Sequence, residues 1–433
     1  MTRSRTRLTS KSRPKAPLQL EKTVTIANRV LPVSPVLNTL FLFMAERHAI
    51  HQRRLAGEPY PWTEDPILLK YPFTNVFRIF DRMTQYILQN VVNKGDNTLM
   101  ESVFRVTLFR LFARTSTWEL LQDRLGELTW RDFDIDVYTD ILRDANEGGV
   151  SLYGCAYLMP APKLGGDRNY INHLRLLQIM MQVDLPGQLK KCAYLKDAYG
   201  RISLFPSLGN FLGYQLLLDI NMIPQLSFPE NWATCGPGAQ DCLKKIFGPG
   251  VQGIEGRALE YLHYTQDIHF ARVGIPSSRR PRIAPDALPG VSVVDLEHSL
   301  CECEKYSRAM HPEIKGKRTN VSRHRAGGGW EPSREPLTAE LPRRWLSSAM
   351  RAKPVKPLPP VDPTEPEPSY HVSHIVGTLY QVRWLGYGPE EDMWLEEKEL
   401  CNALEVLKEW SDFKAVIAAK VSAFQATETR GRL

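Results

Sequence analysis

The sequence predicts a multidomain protein: a mostly α-helical N-terminal domain, a linker, and a small α+β unit made of a three-stranded sheet closed by a C-terminal helix. Three observations predict it. The chain has 433 residues, more than one ordinary domain of roughly 100–200 residues needs. Apolar residues recur at three- and four-residue steps over most of the first 310 positions, which is the spacing of a buried helix face. After a proline-rich run the texture changes to short alternating segments rich in Val, Ile, Tyr and Trp, which suit strands. A hydrophobic fraction of 43% and a charged fraction of 24% are close to globular averages and exclude wholesale disorder.

Residues 1–30 read as a disordered basic arm. Residues 1–20 carry six Lys/Arg and no acid, which suits phosphate contact or nuclear import. The start lacks an apolar signal core and no run approaches 18 apolar residues, so the expectation is a soluble, intracellular protein with no membrane partner. Seven cysteines, an odd number spread thinly, do not form a disulfide framework. Cys301 and Cys303 form a CxC pair with no second pair at zinc spacing, so neither a metal nor another cofactor is expected.

Residues 31–310 read as the helical domain. In ESVFRVTLFRLFARTSTWELLQDRL the helix face is Val103, Phe104, Leu108, Leu111 and Phe112; INHLRLLQIMMQV and FLGYQLLLDI repeat the texture. LFPSLGNFLGYQLLLD has the look of a helix-hairpin-helix, in which a turn at Gly209 would bring backbone N–H groups to a phosphate. GPGAQD opens a second helix at Gly236 and Gly238, with Lys244 and Lys245 following, and could hold an anion in the same way. The phosphate-binding pattern GxxxxGK[ST] occurs nowhere in the chain. Asp219, Asp295, Glu297 and His298 are the candidate catalytic residues, because a carboxylate beside a histidine can do general acid/base work. Asp81 reads as a salt-bridge partner of Arg78 or Arg82. Trp118 and Tyr214 read as core. Glu230, the acid nearest to a glycosylase-like position beyond the Gly209 turn, fits that spacing imperfectly.

Residues 311–369 form the linker. Residues 315–356 hold eleven Lys/Arg against three acids, and KPVKPLPPVDPTEPEP has seven prolines in sixteen residues, which favours an extended spacer. With the first 20 residues these stretches carry all of the chain's excess positive charge, so the net +7 resides in its flexible parts, suited to nonspecific DNA contact.

Residues 370–415 form the C-terminal unit and 416–433 a tail. YHVSHIVGTLYQVRWLGYGPEEDMWLEEKELCNALEVLKEW resembles a chromodomain in the order of its aromatic first strand, Val-x-Trp-x-Gly-Tyr second strand, acidic turn, Trp-centred third strand and closing helix. The resemblance implies binding of a histone tail as an added strand, with methyl-lysine held by Tyr370, Trp384 and Tyr387, since ring faces suit a quaternary ammonium. It implies peptide contacts from Val372 and Glu391, and packing roles for Trp394 and Trp410. Residues 370–412 hold three basic groups against nine acids, which also suits a basic tail. A short first loop at Gly377–Thr378, and Leu395, Glu396 and Glu399 at positions that differ from the pattern, depart from it.

In the helical region YPFTNVFRIFDRMTQYI (71–87), LFRLFARTSTWELL (108–121), PSLGNFLGYQLLLDIN (206–221), CGPGAQDCLKKIFG (235–248) and DLEHSLCECEKYSR (295–308) together resemble the helical domain found with hydroxymethyluracil DNA kinases and thymine-hypermodification enzymes. The leading expectation is a nuclear chromatin protein that binds histone tails through the chromodomain. A histone-modifying complex is a further partner, and the helical domain acts on or docks at DNA. The alternative is a DNA base-modifying or base-excising enzyme targeted to chromatin. A third reading, a retroelement-derived targeting protein, lacks integrase zinc-finger spacing.

Overall fold

The computed structural model describes residues 22–154, 158–209, 211–321, 333, 337, 339–345, 372–376 and 380–430. Residues 1–21, most of the linker, and Tyr370 lie outside the described residues.

Order begins earlier than the sequence suggests. β1 (Thr23–Ile26) and β2 (Arg29–Pro32) form an antiparallel hairpin inside the stretch assigned to the basic arm. Ala27 and Asn28 turn it with φ of +46° and +61°, the two left-handed residues that a two-residue hairpin loop requires. Ile26 and Leu31 face inward, and Arg29 Nη1 donates to the Gly250 and Gln252 carbonyls at 2.9 and 2.8 Å, so the hairpin is tied to the helical body.

The body is helical. α1 (Val36–Leu55), α11 (Pro237–Phe247), α12 (Glu255–Arg272) and α13 (Val293–Met310) pack together in one half. In the other half α4 (Leu99–Phe112) packs against α7 (Asn169–Gln182) and α10 (Leu212–Ile220). Short helices fill the connections: α2 (Pro66–Lys70), α3 (Arg82–Ile87), α5 (Thr115–Leu125), α6 (Ile135–Glu147), α8 (Leu185–Lys190) and α9 (Leu195–Ile202). α4 starts where the Thr98 hydroxyl accepts from Glu101 N and stops at Ala113 in the left-handed conformation. The spacing along α4 predicts one buried face, yet every residue from Glu101 to Phe112 is buried, because neighbours enclose the helix on all sides. Arg105 and Arg110 are therefore inside the protein, where Arg110 meets the buried Asp219 and Arg105 Nε donates to the Val91 carbonyl at 3.2 Å.

The region read as a helix-hairpin-helix is more open than expected. α9 and α10 are joined by the long connection 203–211, and Gly209 is exposed near its end, its carbonyl accepting from Gly213 N at 3.1 Å. Part of the linker also lies on the body: Glu340 N donates to Gln85 Oε1 at 2.8 Å and Lys317 N to Asp241 Oδ2 at 2.8 Å.

The C-terminal unit is an antiparallel sheet ordered β3 (Val372–Ile375), β4 (Gln381–Trp384), β5 (Met393–Trp394), closed by α14 (Leu404–Arg430). Its core holds Ile375, Val382, Leu400, Leu407 and Trp410. Trp394, expected to pack, is 58% exposed because it sits on a two-residue edge strand with its ring outside. The expected tail is also corrected, since α14 runs on through 416–430. Phe413, Ile417, Val421 and Phe424 recur at helical spacing and pack against the core of the helical body, and Lys420 Nζ reaches Gln182 Oε1 at 2.9 Å on α7.

Candidate active site

The loop between α2 and α3 carries Arg78 on a single tight turn, Arg78–Phe80, which is fully inside the protein. Its backbone N–H donates to Asp295 Oδ1 at 3.0 Å, and its guanidinium donates to Asp219 Oδ1 at 2.7 Å. Arg110, from the enclosed helix α4, donates through Nε and Nη2 to the other oxygen of Asp219. Asp219 has no exposed surface and both its oxygens are taken by guanidinium groups. It is placed to hold Arg78 and Arg110 rather than to meet a substrate.

Three further acids gather at the start of α13. Ser292 caps that helix, its hydroxyl accepting from Asp295 N at 3.0 Å. The same hydroxyl lies 2.8 Å from Asp295 Oδ2 and 3.0 Å from Glu230 Oε2. One hydroxyl proton serves only one of two carboxylates, so the other must bring its own. Burial, and then the Asp295 charge, push Glu230 up to about 8. Glu230 thus holds its proton into the neutral range, and the Ser292 hydroxyl stands between it and Asp295. Burial also raises Asp295. Two residues on from Asp295, Glu297 is 3% exposed, accepts from Gly236 N at 2.8 Å and is pushed by burial up to about 7.

Tyr214 of α10 completes the cluster. Its side chain is fully buried and its hydroxyl has no hydrogen-bond partner among the described residues; burial, followed by the charges of Glu297 and Glu230, holds the phenol well above its ordinary range. His298 Nε2 lies 3.0 Å from Asp81 Oδ2, while Asp81 Oδ1 accepts from Asn75 N at 2.7 Å. Burial alone would lower His298, but the Asp81 charge and contact outweigh it and the imidazole is raised. Glu230 and Asp81 are half-buried and form the outer members of the cluster. A protonated acid hydrogen-bonded through a hydroxyl to a second carboxyl is equipped for general acid/base work.

Asp295, Glu297, His298 and Asp219, the acids and histidine singled out in the sequence, are thus brought into one region around Arg78. Asp81 meets His298 rather than Arg78 or Arg82. From sequence, Arg110 and Ser292 are not singled out, Arg78 stands only as a salt-bridge partner for Asp81, Tyr214 as core, and Glu230 as an imperfect fit. The available signal was arginine inside the apolar runs FRIF and LFRLF, since a buried guanidinium needs a buried acid.

The anion sites expected on the helical domain are differently used. The start of α11 gives its Gly236 N–H to Glu297, and a side chain at Gly236 would sit 2.4 Å from the Phe211 ring, so the glycine answers to packing. Gly238 lies against Cys301. Lys245 is 5% exposed and bonded to Glu304 at 3.1 Å and Ser307 at 3.0 Å, because α11 packs tightly on α13. Lys244 is half-buried.

In the C-terminal unit Tyr387 is 7% exposed, and Val372 faces Trp384 across the β3–β4 pairing, both half-buried. Glu391 is half-buried on the turn before β5. The centre of the unit is Arg383, 2% exposed, ion-paired at 3.0 Å to Asp197 of α9 and bonded to Asp392 at 2.9 Å. Asp392 also pairs with Lys196 at 2.8 Å, and His374 Nε2 lies 3.2 Å from Asp197. Gly200 of α9 allows the contact, since a side chain there would sit 2.4 Å from the Val376 carbonyl oxygen.

Residues 34–316 match the family described as the helical domain of 5-hmdU DNA kinase. A 5-hmdU DNA kinase of Bacillus phage SP10 is 25% identical over 231 residues, covering 48% of this chain and 35% of that protein. The chain therefore spans about a third of the length of the curated relative it matches. No solved structure matches the chain. These findings overturn the expectation of a chromatin protein whose main work is to bind histone tails: the family match covers the helical part, ends well before the C-terminal unit and points to DNA modification, the reading held as the alternative.

Proposed function

Because the chain belongs to the family of the 5-hmdU DNA kinase helical domain, we propose that it acts on DNA at pyrimidines modified at the 5-position, with the acid cluster around Asp295 as its reaction centre. The observation that supports this reading is the buried excess of acid. Asp219 bonds both Arg78 and Arg110, while Glu230, Asp295 and Glu297 beside them have raised proton affinities. A 5-hydroxymethyl group needs a proton taken from, or given to, its oxygen. Asp295 suits the first task and protonated Glu230 the second, with Ser292 passing the proton between them. No GxxxxGK[ST] loop occurs in the sequence, so the proposal concerns the handling of the base and not phosphoryl transfer from a nucleotide.

We propose a chromodomain-like build for the C-terminal unit, on its strand order and closing helix, with a bracing role on α9.

The test is to incubate the full chain with duplex DNA containing either 5-hydroxymethyluracil or thymine, then digest and quantify nucleosides by mass spectrometry. Change in the first DNA and not the second is expected, with Asp295→Asn slowing it by about 100-fold or more, the usual worth of a positioned acid or base. Equal treatment of both DNAs, or an Asp295→Asn protein as fast as the parent, would overturn the proposal.

A further inference from the structure

We infer that the cleft between α1 and the 60–73 segment receives a single pyrimidine nucleotide, ring between aromatic walls and carbonyl edge toward Arg47. The inference rests on the base-handling reading above and names a nucleotide subsite next to the acid cluster, whose members do not line the cleft.

The cleft opens to solvent and has aromatic walls from Tyr60, Trp62, Tyr71 and Phe73. Trp62 uses its indole N–H on the Glu58 carbonyl at 2.8 Å, which fixes the ring edge in the protein. Tyr60 meets Trp62 edge-to-face at 5.2 Å, and the Arg54 guanidinium stands 4.8 Å over the Trp62 ring. At the back, Arg47 is 8% exposed. Its Nε and Nη2 share the Phe73 carbonyl at 3.3 Å, while Nη1 is buried with no hydrogen-bond partner among the described residues. An unsatisfied buried guanidinium nitrogen in a cleft wall is a donor waiting for an acceptor, since leaving it unmade is costly.

Charge selects the ligand. The cleft's ionic lining groups, Arg47 and Arg54, are both cationic, and Lys70 stands over Tyr71 at 5.4 Å. The nearby acids are engaged elsewhere: Glu46 by Arg53 and Thr63, Asp81 by Asn75 and His298, and Glu302 by Lys305 and the Thr74 N–H. An ammonium ligand is therefore repelled. A planar ring bearing carbonyl acceptors, joined to a phosphate, fits both the stacking walls and the guanidinium groups. The loop also ties the cleft to the reaction centre: Phe73 bonds Arg47, Asn75 bonds Asp81, and Arg78 bonds Asp219 and Asp295.

The test titrates the full chain with dTMP, 5-hydroxymethyl-dUMP, thymidine and inorganic phosphate, following tryptophan fluorescence and calorimetric heat. Both nucleotides should bind saturably, thymidine more weakly and phosphate not measurably. Arg47→Met should weaken nucleotide binding by tenfold or more. Tyr60→Ala, at a site 40% exposed and so safe for folding, should do likewise with an unchanged melting temperature. Binding unchanged in both variants, equal response to phosphate alone, or no nucleotide binding would overturn the inference. The two proposals fail separately. Turnover of 5-hydroxymethyluracil DNA that depends on Asp295 but not on Arg47 or Tyr60 sinks only the cleft. Nucleotide binding through Arg47 and Tyr60 without DNA turnover sinks only the reaction.

Discussion

Two buried arginine–carboxylate networks stand in this protein, and they are balanced differently. Where the C-terminal unit meets α9, Arg383 and Lys196 face Asp197 and Asp392, with His374 beside them. Charges match, and although burial alone would raise Asp197, the contacts of His374 and Arg383 outweigh it and hold its carboxyl below the ordinary range. Arg383 is likewise raised by Asp392 and Asp197 against the opposing pull of burial. Around Arg78 the acids outnumber their cations, and the surplus appears as raised carboxyls at Glu230, Asp295 and Glu297. A matched network locks two surfaces together; an unmatched one stores protons where chemistry can use them.

The largest effect should come from removing the anchor of the unmatched network. Asp219→Ala takes away the one carboxylate that bonds both buried guanidinium groups, and should cost about 3–5 kcal/mol in global stability, read from urea midpoints. If the loss is under about 1 kcal/mol, Asp219 does not hold Arg78 and Arg110 as the geometry indicates. Arg383→Met should cost about 3 kcal/mol, with a different reach. Amide exchange should accelerate in β3, β4 and the first turns of α14, while α4 and α10 stay protected. Uniform acceleration would show that the C-terminal unit is part of one cooperative core.

This contrast also explains what the sequence made legible. Helices such as α4, α7 and α10 were visible because Leu, Phe and Val recur along them at three- and four-residue steps. The three C-terminal strands and the closing helix were visible for the same kind of reason. The hairpin at 23–32 was not, because Ala27–Asn28 is a poor turn signal beside Asn-Gly. At the site, Asp295, Glu297 and His298 stand within four residues and could be suspected together. Their partners come from Arg78, Arg110, Tyr214 and Glu230, far apart in the chain, and only the packing of α4, α10 and α13 assembles them. Lys245 has the composition of a phosphate ligand but lies at a helix contact, a distinction that local sequence does not carry.

The two networks should respond to pH with opposite signs. Glu297 rises from an ordinary value of 4.5 to about 7, so the folded protein binds its proton more tightly than the unfolded chain. Its contribution is therefore largest below pH 4.5 and is lost as pH rises to about 7, amounting to about 3 kcal/mol. Glu297→Gln should flatten that slope between pH 5 and 7. Asp197 is held below its ordinary 3.8, so its contribution is present above that value and is lost as pH falls further. Acidification should first firm the helical body and then release the C-terminal unit. Simultaneous loss of both on acidification would break the contrast.

The smallest effect should come from an ion pair at the same interface that lacks burial. Lys191 Nζ and Glu409 Oε1 are 2.9 Å apart, shorter than the 3.0 Å between Arg383 and Asp197, but their side chains are 59% and 50% exposed. Water screens the first pair and not the second, so distance alone misranks them. Lys191→Ala should change the denaturation midpoint by about 0.5 kcal/mol or less, and this small loss should vanish at 1 M salt, where screening acts within about 3 Å. A Lys191→Ala loss as large as that of Arg383→Met would show that charge at this interface acts through the whole surface and not through the buried arginine, and the matched network would then have no special place in holding the C-terminal unit to α9.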